Sequence, residues 1–423
     1  MRKNLLELSV VAASLMSVAG ATARADFSYA FGFGMPPQIV TNGSTQFNTE
    51  YNTLFLTSDE DQKGSMWYDT PQNVSGGFTT TFGFYIWGGP TTGIPGDGFA
   101  LVLHNDPRGT AALGGGGSDI GYGNGQLDGI LSSLAIEFDT FNFEGNGPQV
   151  AIHTQGALPN DAGEGTQIAA AFLNNVSTVN ILDGQKHTCT IEYVPNDGVT
   201  PSHLDVYLDN QLVLTANVDL QDINGDDITD ENGNMFVGMT ASTGLADSIH
   251  VIPDWGFAET FGQCRAPNWH VMGWGSCGLE CYYDIEIQVI GSMPQNYVWS
   301  FNGLEIQDDQ GGHYGGLNTN KLRVNTPQLA DNGYYKVVVT NACGSSESLE
   351  VFMGTCPGDL DDGTMSGTSD GGVDINDLLY FLTNFEQGSV EADISWQYGG
   401  AIRDNAVDIN DLLFFLQAFE AGC

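Results

Sequence analysis

The chain has 423 residues and carries 11 Lys and Arg against 52 Asp and Glu, a formal charge of −41. A surface this acidic repels nucleic acid and anionic lipid, which argues against both as partners. The length exceeds what a single core fills, so several modules are expected, and aromatics with alternating apolar runs throughout mark a folding chain.

Residues 1–25 read as an export signal. Arg2 and Lys3 form a basic start, Leu5 to Ala19 an apolar stretch, and Ala23-Arg24-Ala25 a cleavage pattern before Asp26. A secreted, extracellular protein is expected, and no later segment is long and apolar enough for a transmembrane helix. Seven cysteines in an exported chain point to disulfides with one thiol left over. Cys189, alone in a strand-like run, reads as a buried free thiol.

Residues 26–257 run strand after strand with Gly, Asn and Asp at the turns, for example Gly77 to Tyr85, Phe99 to His104, Leu134 to Phe138 and His203 to Leu208. No helical period stands out. The fold class is all-β, a sandwich of jelly-roll type. Asp97 precedes the apolar run Phe99 to Leu103, while Glu137 and Asp139 lie two apart in another, so both point to one face of a strand. Two carboxylates on one face, followed by a loop of Asn, Glu and carbonyl oxygens, form a cradle for a hard ion such as calcium. The alternative is a strand end with solvated acids. Asp222 to Asp227 is acid-rich but lacks the Gly expected after a third ligand, so it reads as a solvated turn.

The runs GDGFALVLHNDPRGTAALGGGGSDIGYG, SLAIEFDTFN and MFVGMTASTG, in that order, resemble the L-type (legume-like) lectins in their bacterial form. The resemblance implies that Asp97 and an amide of Gly116 or Gly117 hold sugar hydroxyls. Phe141 or Phe143 would stack on the ring, Asn142 would lie alongside, and Gly244 and Leu245 would frame the far side. It implies metal ligation by Glu137, Asp139, the carbonyl of Phe141, Asn142 or Glu144, and Asn146. The family's Asn two residues after the aromatic is replaced by Phe143, its later Asp by Asn146 at best, and its His by Gln149. The transition-metal half of the site is therefore degraded, and calcium alone is the expected cofactor.

Residues 258–280 read as a linker containing Cys264 and Cys277, which are expected to pair. In 281–353, Trp299 within a strand, Leu322-Arg323-Val324, and Asp331 to Tyr335 as D-x-G-x-Y resemble an immunoglobulin-like domain with a tyrosine corner. Val337 replaces the usual core cysteine, and a Cys281–Cys343 disulfide is expected instead.

Residues 357–423 form a tandem repeat. Asp359, Asp361, Asp370, Asp374 and Asp377 recur 34 residues later as Asp393, Ser395, Asp404, Asp408 and Asp411. Each copy continues as an apolar helix, Leu378 to Phe385 and Leu412 to Phe419. Oxygens at the early loop positions and at the last position suit calcium if an insertion lies between the third and fifth. The alternative is acidic helix caps without metal. VDINDLL resembles the dockerin signature, with candidate ligands Asp359, Asp361, Asp370, Asp377, Asp393, Ser395, Asp404 and Asp411. A Cys356–Cys423 clasp is expected. The Gly-Cys ending resembles the tails of secreted planctomycete proteins, implying docking to a cohesin-like or surface partner.

The expected function is calcium-assisted binding of a glycan or polysaccharide by a secreted lectin tethered or docked through residues 357–423. Two alternatives stand beside it. One is a structural or adhesion surface protein with a vestigial sugar site. The other is a glycoside hydrolase on a related sandwich, which would need a second glutamate three or four residues after Asp139. Asn142 and Phe143 stand there, with Glu144 one further, so no enzyme is expected.

Overall fold

The structure is a computed structural model describing residues 9–12, 27–31, 34–49, 51, 53–88, 95–125, 127–141, 147–260, 265–276, 282–307, 309–354, 358–395, 402–403 and 406–422. The chain divides into two compact bodies. One comprises Val11–Arg265 and Gln288–Pro294, the other Met1–Val10, Ala266–Ile287 and Gln295–Cys423. Of the expected leader, only Ser9–Ala12 falls within the described residues.

The first body is a sandwich of two eight-stranded sheets. One sheet runs Gln167–Phe172, Gln149–Thr154, Ser133–Asp139, Gly98–His104, Asn234–Ser242, Lys63–Tyr68 and Ile39–Gly43, with Gln72–Asn73 alongside. The other runs Gln211–Ala216, His203–Leu208, His187–Val194, Phe78–Gly88, Ser248–Glu259, Thr53–Thr57 and Gln46–Asn48, with Phe27–Ala30 alongside. All pairings are antiparallel. A single helical turn, Leu173–Val176, interrupts the strands where the sequence shows no helical period.

The strand Gly98–His104 is buried along its whole length, and its alternation explains how. Phe99, Leu101 and Leu103 join the core between the sheets. Ala100 and Val102 point the other way and pack with Trp67, Ile120, Tyr122, Ile130 and Ala135 in a smaller core. That second core lies where the Gly-rich segment folds back over the sheet. The neighbouring strand Ser133–Asp139 repeats the pattern: Leu134, Ile136 and Phe138 face the main core. Ala135, Glu137 and Asp139 therefore point to the covered outer face, and the alternation carries Glu137 under the loop.

In the second body, Asn296–Phe301 pairs with Gly333–Asn341, setting Trp299 opposite Val337. The indole Nε1 of Trp299 donates to the carbonyl of Thr319 at 3.0 Å. The hydroxyl of Tyr335 donates to the carbonyl of Asp331, also at 3.0 Å. Two helices follow, Ile375–Gln387 and Ile409–Ala421. Both start three residues earlier than the apolar pattern indicates, because Asp374 and Asp408 cap them. Each accepts an N–H with its side chain, while Asp377 and Asp411 reach back to the capping residue's own N–H. Phe381 and Phe415 occupy equivalent repeat positions and stack on each other, centroids 4.3 Å apart and planes 3° from parallel. The two copies of the repeat thus pack on each other through equivalent positions.

Cys189 is buried and free. Cys343 is disulfide-bonded, and Cys264, Cys277, Cys281, Cys356 and Cys423 lie outside the described residues. Asp222 to Asp227 forms a tight exposed turn, Ile223 and Asp226 exchanging backbone hydrogen bonds of 2.8 and 3.0 Å.

Phe381→Ala removes half of the stacked pair at the centre of a small apolar cluster. It should cost about 3 kcal/mol, seen as loss of helical ellipticity at a lower denaturant concentration.

Candidate functional site

Asp97 stands just before the strand Gly98–His104, and its backbone is pinned on both sides. Its N–H donates to Ser242 O at 3.2 Å, and its carbonyl accepts from Thr140 N at 2.9 Å and Thr140 Oγ1 at 3.0 Å. The side chain is buried, yet Oδ2 has no hydrogen-bond partner among the described residues. Burial pushes this carboxyl up to about 6, and a backbone N–H from Gly244 opposes the rise.

Two glycines face that orphaned oxygen. A Cβ at Gly244 would stand 3.1 Å from Asp97 Oδ2 and 3.7 Å from Gly117 Cα, and one at Gly117 would stand 3.9 Å from Oδ2. The absent side chains leave a cradle over the carboxylate. Gly117 also needs its φ of +62°. Its carbonyl accepts from Ser242 Oγ at 2.6 Å, and the carbonyl of Ile120 accepts from Thr240 Oγ1 at 2.8 Å, which seats the turn on the strand beneath. Leu245, beside Gly244, is 81% exposed at the rim. Gly116 lies further off, where a Cβ would meet Lys63 Cδ at 3.7 Å.

Glu137 and Asp139 enter from the adjacent strand. The N–H of Phe141 donates to Asp139 Oδ1 at 2.8 Å. Phe141 packs where a Cβ at Gly96 would stand 3.2 Å from its own. Asp139 is pushed up to about 6 by burial, with Asp97 adding to the rise. Glu137, only 3% exposed, is pushed up to about 8 by burial, while the hydroxyl of Tyr122 donates to it and opposes the shift. Three carboxylates crowd without a cation among the described side chains to neutralise them. The carboxylate oxygens of Asp97 and Asp139 are of the hard kind calcium prefers, while the described residues hold no group of three or more His, Cys, Asp or Glu placed to bind a metal ion. Asn142, Phe143, Glu144 and Asn146 lie outside the described residues.

Sequence reasoning missed Tyr122 and His153. Tyr122 sits in the Gly-rich run, where nothing marks its hydroxyl. His153 Nε2 approaches Glu137 Oε2 at 4.0 Å, and burial holds the ring down at about 4. Only strand register could have found it: His153 lies opposite Ala135, two residues from Glu137 on the same face.

In the repeat, Asp359, Asp361 and Asp377 are buried together with Asp393, Ser395 and Asp411. Asp377 Oδ1 accepts from the N–H groups of Leu360 and Asp361 at 2.6 and 2.9 Å, and Asp411 Oδ1 accepts from Ile394 and Ser395, both at 2.8 Å. Asp361 gathers N–H groups from Gly363, Met365 and Gly367 at 2.8–2.9 Å. Asp370 is exposed, and its own N–H donates to Asp359 Oδ1 at 2.9 Å. Asp404 lies outside the described residues.

The legume lectin domain profile matches residues 24–270. A probable L-type lectin-domain containing receptor kinase from Arabidopsis thaliana is 28% identical over 204 residues, 45% of this chain and 27% of that protein. The chain thus spans about a quarter of the length of that curated relative. A Bauhinia forficata lectin in complex with GalNAc is 21% identical with a TM-score of 0.42, covering 57% of this chain and 100% of its own. The acidic lectin of winged bean complexed with methyl-α-D-galactose is 18% identical with a TM-score of 0.41, covering 55% and 98%. The exoplasmic/lumenal domain of VIP36, bound to calcium and mannose, is 18% identical with a TM-score of 0.39, covering 54% and 86%.

Asp97→Asn removes a buried charge. A carboxyl raised in the fold stabilises below its unfolded pKa and loses that contribution as pH rises through about 6. In chelator, the variant should therefore melt no lower than the parent at pH 8, and its melting temperature should change less between pH 4 and 7, measured by calorimetry.

Proposed function

The chain belongs to the legume lectin domain family, and on that premise we propose that it is a calcium-assisted carbohydrate-binding protein of the extracellular space. The observation that carries this reading is the buried, unpartnered Oδ2 of Asp97 facing the bare backbones of Gly117 and Gly244. A sugar hydroxyl donating to Oδ2 would satisfy an acceptor that is costly to leave unmade. An amide of the Gly-rich turn would donate to the same ring, with Phe141 and Leu245 offering apolar surface. Calcium would be held by Asp139, the Phe141 carbonyl and the loop beyond. There it would neutralise the crowded carboxylates and fix Phe141 against Gly96.

The reading extends to the second body. The sheet bearing Trp299, with Tyr335 bonded to Asp331, supports an immunoglobulin-like spacer, and the capped helix pair supports a dockerin-like tail. Ile375, Leu379 and Leu382 on one helix, and their repeat mates Ile409, Leu413 and Leu416 on the other, are 38–59% exposed. Spaced i, i+4, i+7, each set forms a stripe suited to docking a partner protein. The tail would then hold the sugar-binding body at a surface.

A glycan array with the full chain should show binding that disappears with chelator and in Asp97→Ala. Silence on a broad array from folded protein would favour the structural surface reading, which Gln149 opposite Asp139 already favours. Protons compete with calcium for the Asp139 carboxylate, raised to about 6 by burial with Asp97 adding to the rise. The calcium-induced rise in melting temperature should therefore grow from pH 5 to pH 8, the difference between paired scans cancelling other titrations. A double Leu379→Glu, Leu413→Glu variant should keep glycan binding and lose surface retention, scored by cell fractionation.

A further inference from the structure

The family's two-metal arrangement does not fit the residues around Glu137. Its carboxylate lies on the outer face of the strand Ser133–Asp139, under the Gly-rich turn, and accepts the hydroxyl proton of Tyr122. Tyr122 belongs to the same turn as Gly117. The turn is closed by Gly114 N to Gly121 O at 2.7 Å, Gly115 N to Gly123 O at 2.9 Å and Tyr122 N to Asp119 O at 3.0 Å. Where a transition metal would need an imidazole, Gln149 stands opposite Asp139.

The nearby imidazole does not replace it. Thr166 Oγ1 donates to the carbonyl of Asp161 at 2.6 Å, so it accepts from His153 Nδ1 at 3.0 Å. This tautomer turns the Nε2 lone pair toward Glu137 Oε2 across 4.0 Å. That oxygen is also the one Tyr122 engages. An ion entering there would have to displace the phenol from the oxygen it engages.

We propose that Tyr122 takes over the task of the second metal: its hydroxyl, bonded to Glu137, ties the sugar-binding turn to the metal-bearing strand, and Glu137 ligates no ion. Tyr122 is a positioning residue, acting on the ligand through Gly117, and only this last step rests on the carbohydrate-binding reading. The half-site near Glu137 is closed by a hydrogen bond, and the half-site near Asp139 alone is left for calcium.

The test uses full-length protein equilibrated with calcium, manganese and zinc together, desalted, and counted by inductively coupled plasma mass spectrometry. Calcium without stoichiometric manganese or zinc is expected. Glu137→Gln keeps an acceptor for Tyr122, so it should retain the parent's calcium count, melting temperature and glycan affinity. Tyr122→Phe should lower the melting temperature and weaken glycan binding, with no recovery on adding manganese or zinc. One equivalent of manganese or zinc in the parent, lost in Glu137→Gln, would overturn the proposal. So would a Tyr122→Phe protein with the parent's melting temperature and glycan affinity. Failure of the carbohydrate reading shows separately, as a parent that binds no glycan while the metal counts and melting temperatures follow the expected pattern.

Discussion

Carboxylates driven under a loop of a β-sandwich are the constraint on which the rest of the first body depends. A strand alternates its side chains, so once Leu134, Ile136 and Phe138 face the main core, Glu137 must face the other side. Left open, that side would solvate the acid. Here the Gly-rich segment crosses it and buries Ala100, Val102, Ala135 and Tyr122 in a second core. The cover is what makes Glu137 expensive, and it also supplies the phenol that offsets part of the cost.

The glycines of that cover answer to the same constraint. Asp119 bends its carboxylate back into its own loop, where a Cβ at Gly115, Gly123 or Gly125 would stand 2.2–2.9 Å from its oxygens. Gly121 has a φ of +76°, and a Cβ there would sit 3.0 Å from the carbonyl of Ala241. The turn therefore lies flat on the strand Asn234–Ser242, and Ser242 and Thr240 hold it by donating their hydroxyls to the carbonyls of Gly117 and Ile120. Flatness brings Gly117 and Gly244 together over Asp97. The cradle over Asp97 is thus a by-product of covering the sheet closely with backbone, and its opening is shaped by side chains that are missing.

These facts divide into what local pattern encodes and what only register encodes. The strands around Asp97 and Glu137 were legible because apolar alternation is a local property, as was the acid placed in each. The Gly-rich run was legible as a turn by resemblance, and the structure lays it over the strand beside Asp97. The Tyr122–Glu137 bond was not, since it joins residues on separate segments and a tyrosine inside a turn reads as one more aromatic. His153 was hidden for the same reason: its meaning comes from lying opposite Ala135. Helix starts were misread by three residues because apolar periodicity marks the buried stripe, whereas Asp374 and Asp408 set the boundary by satisfying N–H groups.

The repeat shows how near-identical sequences acquire different roles once folded. Phe381 and Phe415 stack as equivalents, and the capping aspartates share backbone angles within 1°, so the helices are symmetric. The insertions are not. The first coils on itself, Asp361 collecting N–H groups from three residues of its own loop. The second contributes Ile402–Arg403, which pairs with Glu350–Met353 and extends the sheet that carries Trp299. Arg403 lies over the ring of Tyr334 at 3.7 Å and reaches Glu391 at 3.0 Å and Glu350 at 3.5 Å. In a chain so poor in cations, one arginine between two glutamates and an aromatic face is a strong local commitment. It also donates to the carbonyl of Asp393 at 3.2 Å, so the second loop is tied at its first residue to the neighbouring sheet. Symmetry is kept where the helices must pack, and broken where one copy has to be fixed to the sheet that carries Trp299.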